Sequence, residues 1–260
     1  MVSEQILHTQ QDASQASIQY LHHSGFLVDT GNRKLLFDWD GSEPVPELGE
    51  TPACIFVSHG HEDHYSKKIY SLREKSPQTV LLLSDDISAK KGAQPIAPGE
   101  RKEIFTPRPE NTREGEQLPP VTVRALPSTD EGVAFLVYAD GLSLYFAGDM
   151  NWWYWEDEPD PWNPDMAQMY TERIDSLKGE QIDLAFLPVD PRLGQEMLLG
   201  PDYFMKTVGA QMVFPMHFWD DFSVFDAMEN DPRTESYRQN IARISQPGEW
   251  FSYSKKPSGK

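Results

Sequence analysis

Residues 58–64 read SHGHEDH, and this stretch decides both the fold and the chemistry that the sequence predicts. Three of the seven histidines of the chain fall within it. Imidazole nitrogens suit zinc and other first-row metals, and the carboxylate of Asp63 adds an oxygen ligand. His59 and His61 alternate as in an extended turn and can converge on one ion, whereas Asp63 and His64 point to a neighbouring position. The spacing predicts a site for two ions. The alternative is that these side chains lie on a surface loop and bind no metal.

The motif follows an apolar run at residues 53–58 that is typical of a buried strand. After the motif, apolar residues recur at helical spacing over residues 65–72, and a second strand is predicted at residues 79–84. This order is a β-α-β unit. Upstream, three short strand-like segments between residues 18 and 37 predict an antiparallel meander.

The second half of the chain repeats the alternation of strands and helices. Strands are predicted at residues 121–126, 133–138, 142–147, 182–189, 211–218 and 250–253. Helices are predicted at residues 166–177, 202–208 and 231–244. Residues 90–120 are rich in proline and charge and predict a surface excursion with an edge strand at most. We expect mixed sheets covered by helices in a single domain, residues 1–260, with about 15 frayed residues at the N-terminus.

Composition excludes several classes of protein. Hydrophobic residues make up 38% of the 260 residues and charged residues 25%, as in a globular protein. No apolar run approaches the roughly 20 residues that cross a bilayer, so no membrane partner is expected. A formal charge of -18 repels phosphate backbones and argues against a nucleic-acid partner. The polar N-terminus and the single cysteine, Cys54, predict a cytoplasmic location.

The stretch at residues 58–64 resembles the H-x-H-x-D-H signature of the metallo-β-lactamase superfamily of metal-dependent hydrolases. Two later strand ends are similar to that family as well, FAGD at residues 146–149 and FPMH at residues 214–217. The opening, HSGF at residues 23–26 and LLFD at residues 35–38, is similar to the ascorbate-6-phosphate lactonase-like branch. The resemblance covers nearly the whole chain. It implies an α/β fold, the four-layer αβ/βα sandwich of two mixed sheets flanked by helices.

The resemblance also implies which side chains hold the metal. The implied ligands are His59, His61, Asp63, His64, Asp149 and His217. Two of them have an ordinary alternative role, because Asp149 could close a turn and His217 could be a hydrogen-bonded core histidine. Asp38 could orient a ligand histidine or cap the next loop, and we expect His23 to support a ligand or to be structural.

The sequence departs from the family at the third histidine of the first metal position, since no histidine lies between His64 and His217. Alignment without gaps puts Ser128 there, and Asp130 is the strong metal ligand beside it. If Asp130 binds the metal, both ions are kept. If it does not, the first position loses a ligand while the second keeps its full set. We expect metal binding to be retained and leave the number of ions open.

The implied reaction is hydrolysis of a small molecule with an ester, lactone, amide or phosphoester bond. A divalent ion, zinc, manganese or iron, lowers the pKa of its bound water to about 7. Asp63 is the predicted catalytic residue, because it can hold that water and carry its proton. Two alternatives remain: a protein of this fold that binds metal or ligand without hydrolysis, and an iron-dependent redox enzyme.

An aromatic and acidic block, NWWYWEDEPDPW at residues 151–162, follows Asp149 and holds four of the seven tryptophans. It predicts either a cluster that packs against the outer layer of the fold or a wall of the substrate pocket.

Overall fold

The computed structural model describes residues 14–88, 92–106 and 118–255, and within them two β-sheets face each other. The expected fraying of the N-terminus lies mostly outside the described residues. The first sheet has seven strands, in the spatial order β13 (Trp250–Ser254), β1 (Gln15–Tyr20), β2 (Phe26–Asp29), β3 (Lys34–Phe37), β4 (Ala53–Val57), β5 (Thr79–Ser84) and β6 (Ala93–Ile96). The second has six, in the order β12 (Met212–Met216), β11 (Leu184–Pro188), β10 (Leu142–Phe146), β9 (Val133–Ala139), β8 (Val121–Pro127) and β7 (Arg101–Ile104).

Both sheets are mixed. The meander of β1, β2 and β3 is antiparallel, whereas β3, β4, β5 and β6 are parallel neighbours. In the second sheet β10, β11 and β12 are parallel, and the remaining pairs are antiparallel. The helices are α1 (Lys68–Lys75), α2 (Trp162–Asp175), α3 (Leu199–Thr207) and α4 (Ser223–Asn230).

The core lies between the sheets because alternate strand residues face inward. Phe37 of β3 stacks on Phe146 of β10, with ring centroids 4.8 Å apart. Its neighbour Leu36 faces the other side, in the apolar cluster that includes Ile69 of α1. On the outside of the second sheet, α3 contributes a ring that stacks on Tyr145 at 4.7 Å. The layers are therefore helix, sheet, sheet and helix, which confirms the predicted αβ/βα sandwich.

The parallel strands point their carboxyl ends toward one edge of the sandwich. The segments after β3, β4, β10, β11 and β12 carry polar residues at that edge, where ligands bind in open α/β sheets. Six of the seven predicted site residues follow β4, β10 and β12, and Asp130 follows β8. No helix in the described part of the chain has the length and apolarity to cross a membrane.

Three sequence predictions differ from the fold. The prediction of a helix at residues 231–244 is wrong. The chain forms a short 3₁₀ turn at Pro232–Thr234 and a second 3₁₀ turn at Arg238–Asn240. It then makes a parallel bridge between Ile241 and Val213 of β12, and this sheet pairing replaces further helix. The helix α4 precedes that segment and was not predicted. The excursion at residues 90–120 forms two edge strands, β6 and β7, and its residues 107–117 lie outside the described ranges.

Candidate metal centre

Asp38, directly after β3, organises the segment that follows β4. Its Oδ1 accepts from the backbone N–H of Ser58 at 2.7 Å, and its Oδ2 accepts from the Ser58 hydroxyl at 2.5 Å. The same Oδ2 lies 2.8 Å from Nδ1 of His64, which is fully buried. Since an ionised carboxylate only accepts, Nδ1 carries the proton and Nε2 faces the site. Of the two roles weighed for Asp38, orienting a histidine is the one that this geometry supports.

Asp149, after β10, lies between two groups of histidines. Its Oδ2 is 3.4 Å from Nε2 of His59. Its Oδ1 is 3.0 Å from Nε2 of His64 and 3.5 Å from Nε2 of His217. The two oxygens of one carboxylate therefore face two different sides of the cluster, so this carboxylate could contribute a ligand atom to both groups of histidines.

Two glycines let the loops of the second sheet close over Ser58. A Cβ on Gly132 would lie 2.0 Å from the Ser58 carbonyl oxygen, and one on Gly148 would lie 2.7 Å from the Ser58 Cβ. Both glycines also have positive φ, +65° and +54°. Any side chain at either position would push Asp149 or the residue 128–131 loop away from the histidines.

His217 directly follows β12 and is held by a carboxylate that was not predicted from the sequence. Its Nδ1 lies 3.0 Å from Oδ2 of Asp190, a fully buried residue two positions after β11. The backbone N–H of His217 donates to the carbonyl of His23 at 3.2 Å, and both histidines have positive φ. Strained backbone of this kind is frequent at functional sites.

His23 reaches the cluster from the first sheet. It is 2% exposed, and its Nε2 lies 3.4 Å from Oδ2 of Asp63. Potential ligand atoms of His23, Asp63, His64 and His217 lie within 4.8 Å of one another. A structural role alone, one of the two expectations for His23, would leave this inward-facing nitrogen without a function.

The donor set fits a metal. Three groups of potential ligand atoms lie within 4.8 Å in the described chain: His23 with Asp63, His64 and His217; His59 with His61 and Asp149; and Asp38 with His59 and His64. Nε2 of His23, Nε2 of His64 and Oδ1 of Asp149 are buried and have no hydrogen-bond partner among the described residues. Buried polar atoms without partners are rare and unfavourable, and a cation at this point would satisfy all three.

The charges of the cluster support the same conclusion. Burial lowers the pKa of His59 below its ordinary value. In His64 burial acts in the same direction, but the charge of Asp149 and the charge and hydrogen bond of Asp38 raise its pKa well above that value. Burial opposes ionisation of Asp149, yet His64 and His217 hold its pKa well below the usual range. The carboxylate is thus ionised and requires positive charge around it.

Asp130 lines the same cavity as His61 and Asp149 but belongs to none of the three groups of ligand atoms. Burial and the nearby Asp149 charge raise its pKa. The neighbouring Thr129 ties its loop to Asn151, donating to the backbone carbonyl at 2.7 Å and accepting from the N–H at 2.9 Å. Of the seven predicted metal-site residues, six are therefore brought together and Asp130 lies beside them.

A cavity of about 350 Å³ opens onto the cluster. Tryptophans form much of its wall: Trp153, Trp155, Trp162 and Trp219. Trp153 also packs with Met166 of α2 and Leu193, so the aromatic block fills the outer layer and walls the cavity at once. A larger cavity, about 710 Å³, lies toward the opposite end of β11 and β12 and has no histidine in its lining.

Known proteins share both the sequence pattern and the fold. A profile of the beta-lactamase superfamily domain matches residues 17–157. A metal-dependent hydrolase of Heliobacterium modesticaldum is 26% identical over 226 residues, which cover 82% of this chain and 85% of that protein. The solved structure of a metallo hydrolase from Ignicoccus hospitalis aligns with a TM-score of 0.60 and 18% identity, over 94% of this chain and 100% of the other. A structure from Parabacteroides distasonis, described as a metal-dependent hydrolase, has a TM-score of 0.57 at 16% identity, over 87% of this chain and 91% of the other.

Proposed function

This chain belongs to the beta-lactamase superfamily, and on that premise we propose that it is a metal-dependent hydrolase of a small molecule. The bond it cleaves is an ester, lactone, amide or phosphoester. The position of Asp149, with one oxygen toward His59 and the other toward His64 and His217, carries the proposal. The name of the Heliobacterium relative, a metal-dependent hydrolase, supports it.

The ligand atoms divide into two positions on either side of Asp149. His59 and His61 would hold the first with Oδ2 of Asp149, and Asp130 lies close enough in the cavity to be tested as a further ligand. The second position would be held by His64, His217, Asp63 and Oδ1 of Asp149, with His23 within reach. Histidine and carboxylate ligands of this kind suit zinc, manganese or iron.

A divalent ion supplies an activated water near neutral pH and polarises the oxygen of the scissile group. Asp63 lines the cavity, and although its burial opposes ionisation, the nearby imidazoles of His23 and His64 hold its pKa below the usual range. Its carboxylate is the group that we assign to hold the attacking water and accept its proton. Asp38 and Asp190 keep the imidazoles in one orientation, and the tryptophans give the cavity an apolar wall.

The first test is metal content and turnover together. We expect protein purified without chelator to contain about one or two equivalents of zinc, manganese or iron and to hydrolyse 4-nitrophenyl acetate or a simple lactone. Asp149→Asn should lose metal and lower kcat/KM by about 100-fold or more, because the carboxylate that lies between the two groups of histidines is removed. Asp183→Asn is the matched control, since Asp183 is a buried aspartate away from this cluster. Protein without bound metal would favour the non-hydrolytic alternative, and iron with oxygen consumption would favour redox chemistry.

Asp130→Ala tests the first metal position. If Asp130 replaces the missing histidine, the variant should keep about one equivalent of metal where the parent holds two, measured by inductively coupled plasma mass spectrometry. Glu131→Ala is the control, because Glu131 is exposed and its Oε2 lies 3.2 Å from Nε2 of His61. Unchanged metal content in Asp130→Ala would remove Asp130 from the ligands.

A further inference from the structure

We propose that Arg192 and the tryptophans around it form a subsite for a carboxylate carried on an aromatic or otherwise apolar substrate. The inference rests on the proposed function, because it assigns one end of the cavity that opens onto the metal cluster. It adds a substrate class that neither the motif nor the fold specifies.

Arg192 is the one arginine or lysine in the cavity wall formed by the described residues. Its guanidinium carbon lies 4.9 Å from the ring centroid of Trp219 and 5.7 Å from that of Trp155. The aromatic faces attract the cation and shield it from water. A planar, weakly hydrated guanidinium between aromatic rings is well suited to bind a carboxylate.

Asp190 fixes where the guanidinium points. Nε of Arg192 donates to both carboxylate oxygens of Asp190 at 2.9 Å, and Nη2 donates to Oδ2 at 2.5 Å. The same Oδ2 lies 3.0 Å from Nδ1 of His217. One buried carboxylate therefore holds the arginine in a fixed position relative to a proposed metal ligand, His217.

The remaining end of Arg192 is open. Its hydrogen bonds within the described residues use Nε and Nη2, not Nη1, and about half of the side chain is exposed, on the wall shared by this cavity and a neighbouring one. Asp63 and Asp149 also act on this arginine, and a bound metal would neutralise their charge. The positive potential of the guanidinium would then face an incoming anion without competition from these carboxylates.

A second copy of the same local motif shows what a structural arginine looks like here. Asp231, Pro232 and Arg233 repeat the order of residues 190–192, and Arg233 also makes a forked contact with its aspartate. Its Nη2, however, donates to the backbone carbonyl of Gln195 at 2.9 Å. The guanidinium of Arg192 makes no such contact with a backbone carbonyl among the described residues. The two arginines therefore share the pairing with aspartate and differ in this additional hydrogen bond.

Binding of 2-naphthoate and 2-naphthamide to the metal-loaded protein, measured by calorimetry, tests the subsite. The two probes share a ring system and differ in charge, so the ratio of their dissociation constants isolates the carboxylate. We expect naphthoate to bind about 10-fold or more tightly than the amide, as for a charge-assisted hydrogen bond. Arg192→Gln should reduce the ratio to within about twofold, and Arg192→Lys, which keeps the charge but loses the fork, should give an intermediate ratio. Arg233→Gln should leave it unchanged.

The proposal would be overturned if Arg192→Gln preferred naphthoate over the amide by the same ratio as the parent, because the carboxylate would then bind the metal or another group. Equal affinity of both probes for the parent would overturn it too. If Arg192→Gln fails to fold, the ratio in Arg192→Lys decides: a ratio equal to that of the parent is the negative result. The readout needs no turnover, so a protein that hydrolyses nothing but shows the preference contradicts the proposed function alone.

Discussion

Two buried carboxylates orient two of the histidines that would bind the metal. Asp38 accepts from Nδ1 of His64, and Asp190 accepts from Nδ1 of His217. Both aspartates are fully buried, and both direct the Nε2 of their histidine toward Asp149. Carboxylates in this position fix the tautomer and strengthen the imidazole as a donor.

Asp38→Asn should therefore weaken metal binding by about 10- to 100-fold, because the amide no longer holds the proton on Nδ1 of His64 as firmly. The affinity is measured by competition with a chromophoric chelator. Asp183→Asn serves again as the control, since it removes a buried carboxylate that accepts from the Ser143 backbone and not from a histidine. Equal metal affinity in Asp38→Asn and the parent would show that the carboxylate only stabilises the loop.

Six of the seven proposed metal-site residues could be gathered from the sequence because each sits in a short local pattern. Asp190 and Arg192 could not, although Asp190 follows an apolar strand just as Asp149 does. A carboxylate after a strand is a weak signal without a histidine beside it. His23 was expected only to support a ligand or to be structural, because its approach to Asp63 depends on how distant segments pack.

Among the elements, the turn before β3 and the hairpin between β9 and β10 are joined by an ion pair that connects the two sheets. Arg33 is fully buried, and its Nε and Nη2 donate to the two carboxylate oxygens of Asp140 at 2.9 Å. Its Nη2 also donates to the carbonyl of Pro119. The contact lies between loops that no short sequence pattern brings together.

Asp140→Asn should lower the free energy of unfolding by about 3 kcal/mol, because it leaves the buried Arg33 charge without its partner. Asparagine tolerates the positive φ of 52° at this position, so the turn itself is preserved. Urea unfolding measures the change, and the double variant Arg33→Met with Asp140→Asn should recover part of it. A loss of less than about 1 kcal/mol in the single variant would contradict this account.

The elements themselves were largely predictable where an apolar run ends at a turn or a polar cluster, as for β4, β5, β9 and β10. The region after β12 was not. Val224, Phe225 and Met228 form the buried face of α4, but the following proline and aspartate suggested a later helix start. The pairing of Ile241 with Val213 that interrupts that expected helix is a long-range contact.

For the whole molecule, the metal cluster takes side chains from both sheets. His23 and the residue 58–64 segment belong to the first sheet, whereas Asp149 and His217 follow strands of the second. An ion at this point would link the two layers of the sandwich and would bind only the native arrangement, so it should raise the free energy of unfolding.

Removing the ion with a chelator should lower Tm by roughly 10 °C, since ligand at 1,000 times its Kd contributes about 4 kcal/mol and each kcal/mol shifts Tm by about 2–4 °C at this size. Differential scanning fluorimetry with and without chelator gives the measurement. In Asp149→Asn the chelator should have little effect, which separates metal loss from any direct action of the chelator. An identical Tm for the treated and untreated parent would count against ion binding in the native state.

The overall architecture could be predicted from the sequence because the order of strands and helices and the motif at residues 58–64 indicate the same fold. The spatial order of the strands did not follow, since β13 is the last strand of the chain and pairs with β1, the first. Pairing between distant segments depends on the closed core and leaves no local trace in either strand.

That pairing has a practical consequence. Gln15 lies opposite Ser254, and β1 runs from there toward His23, so both described ends of the chain leave the sandwich on the face away from the cavity. In a variant trimmed to residues 14–255, a tag or fused protein joined directly to either end would project from the rear of the molecule and leave the cavity entrance free.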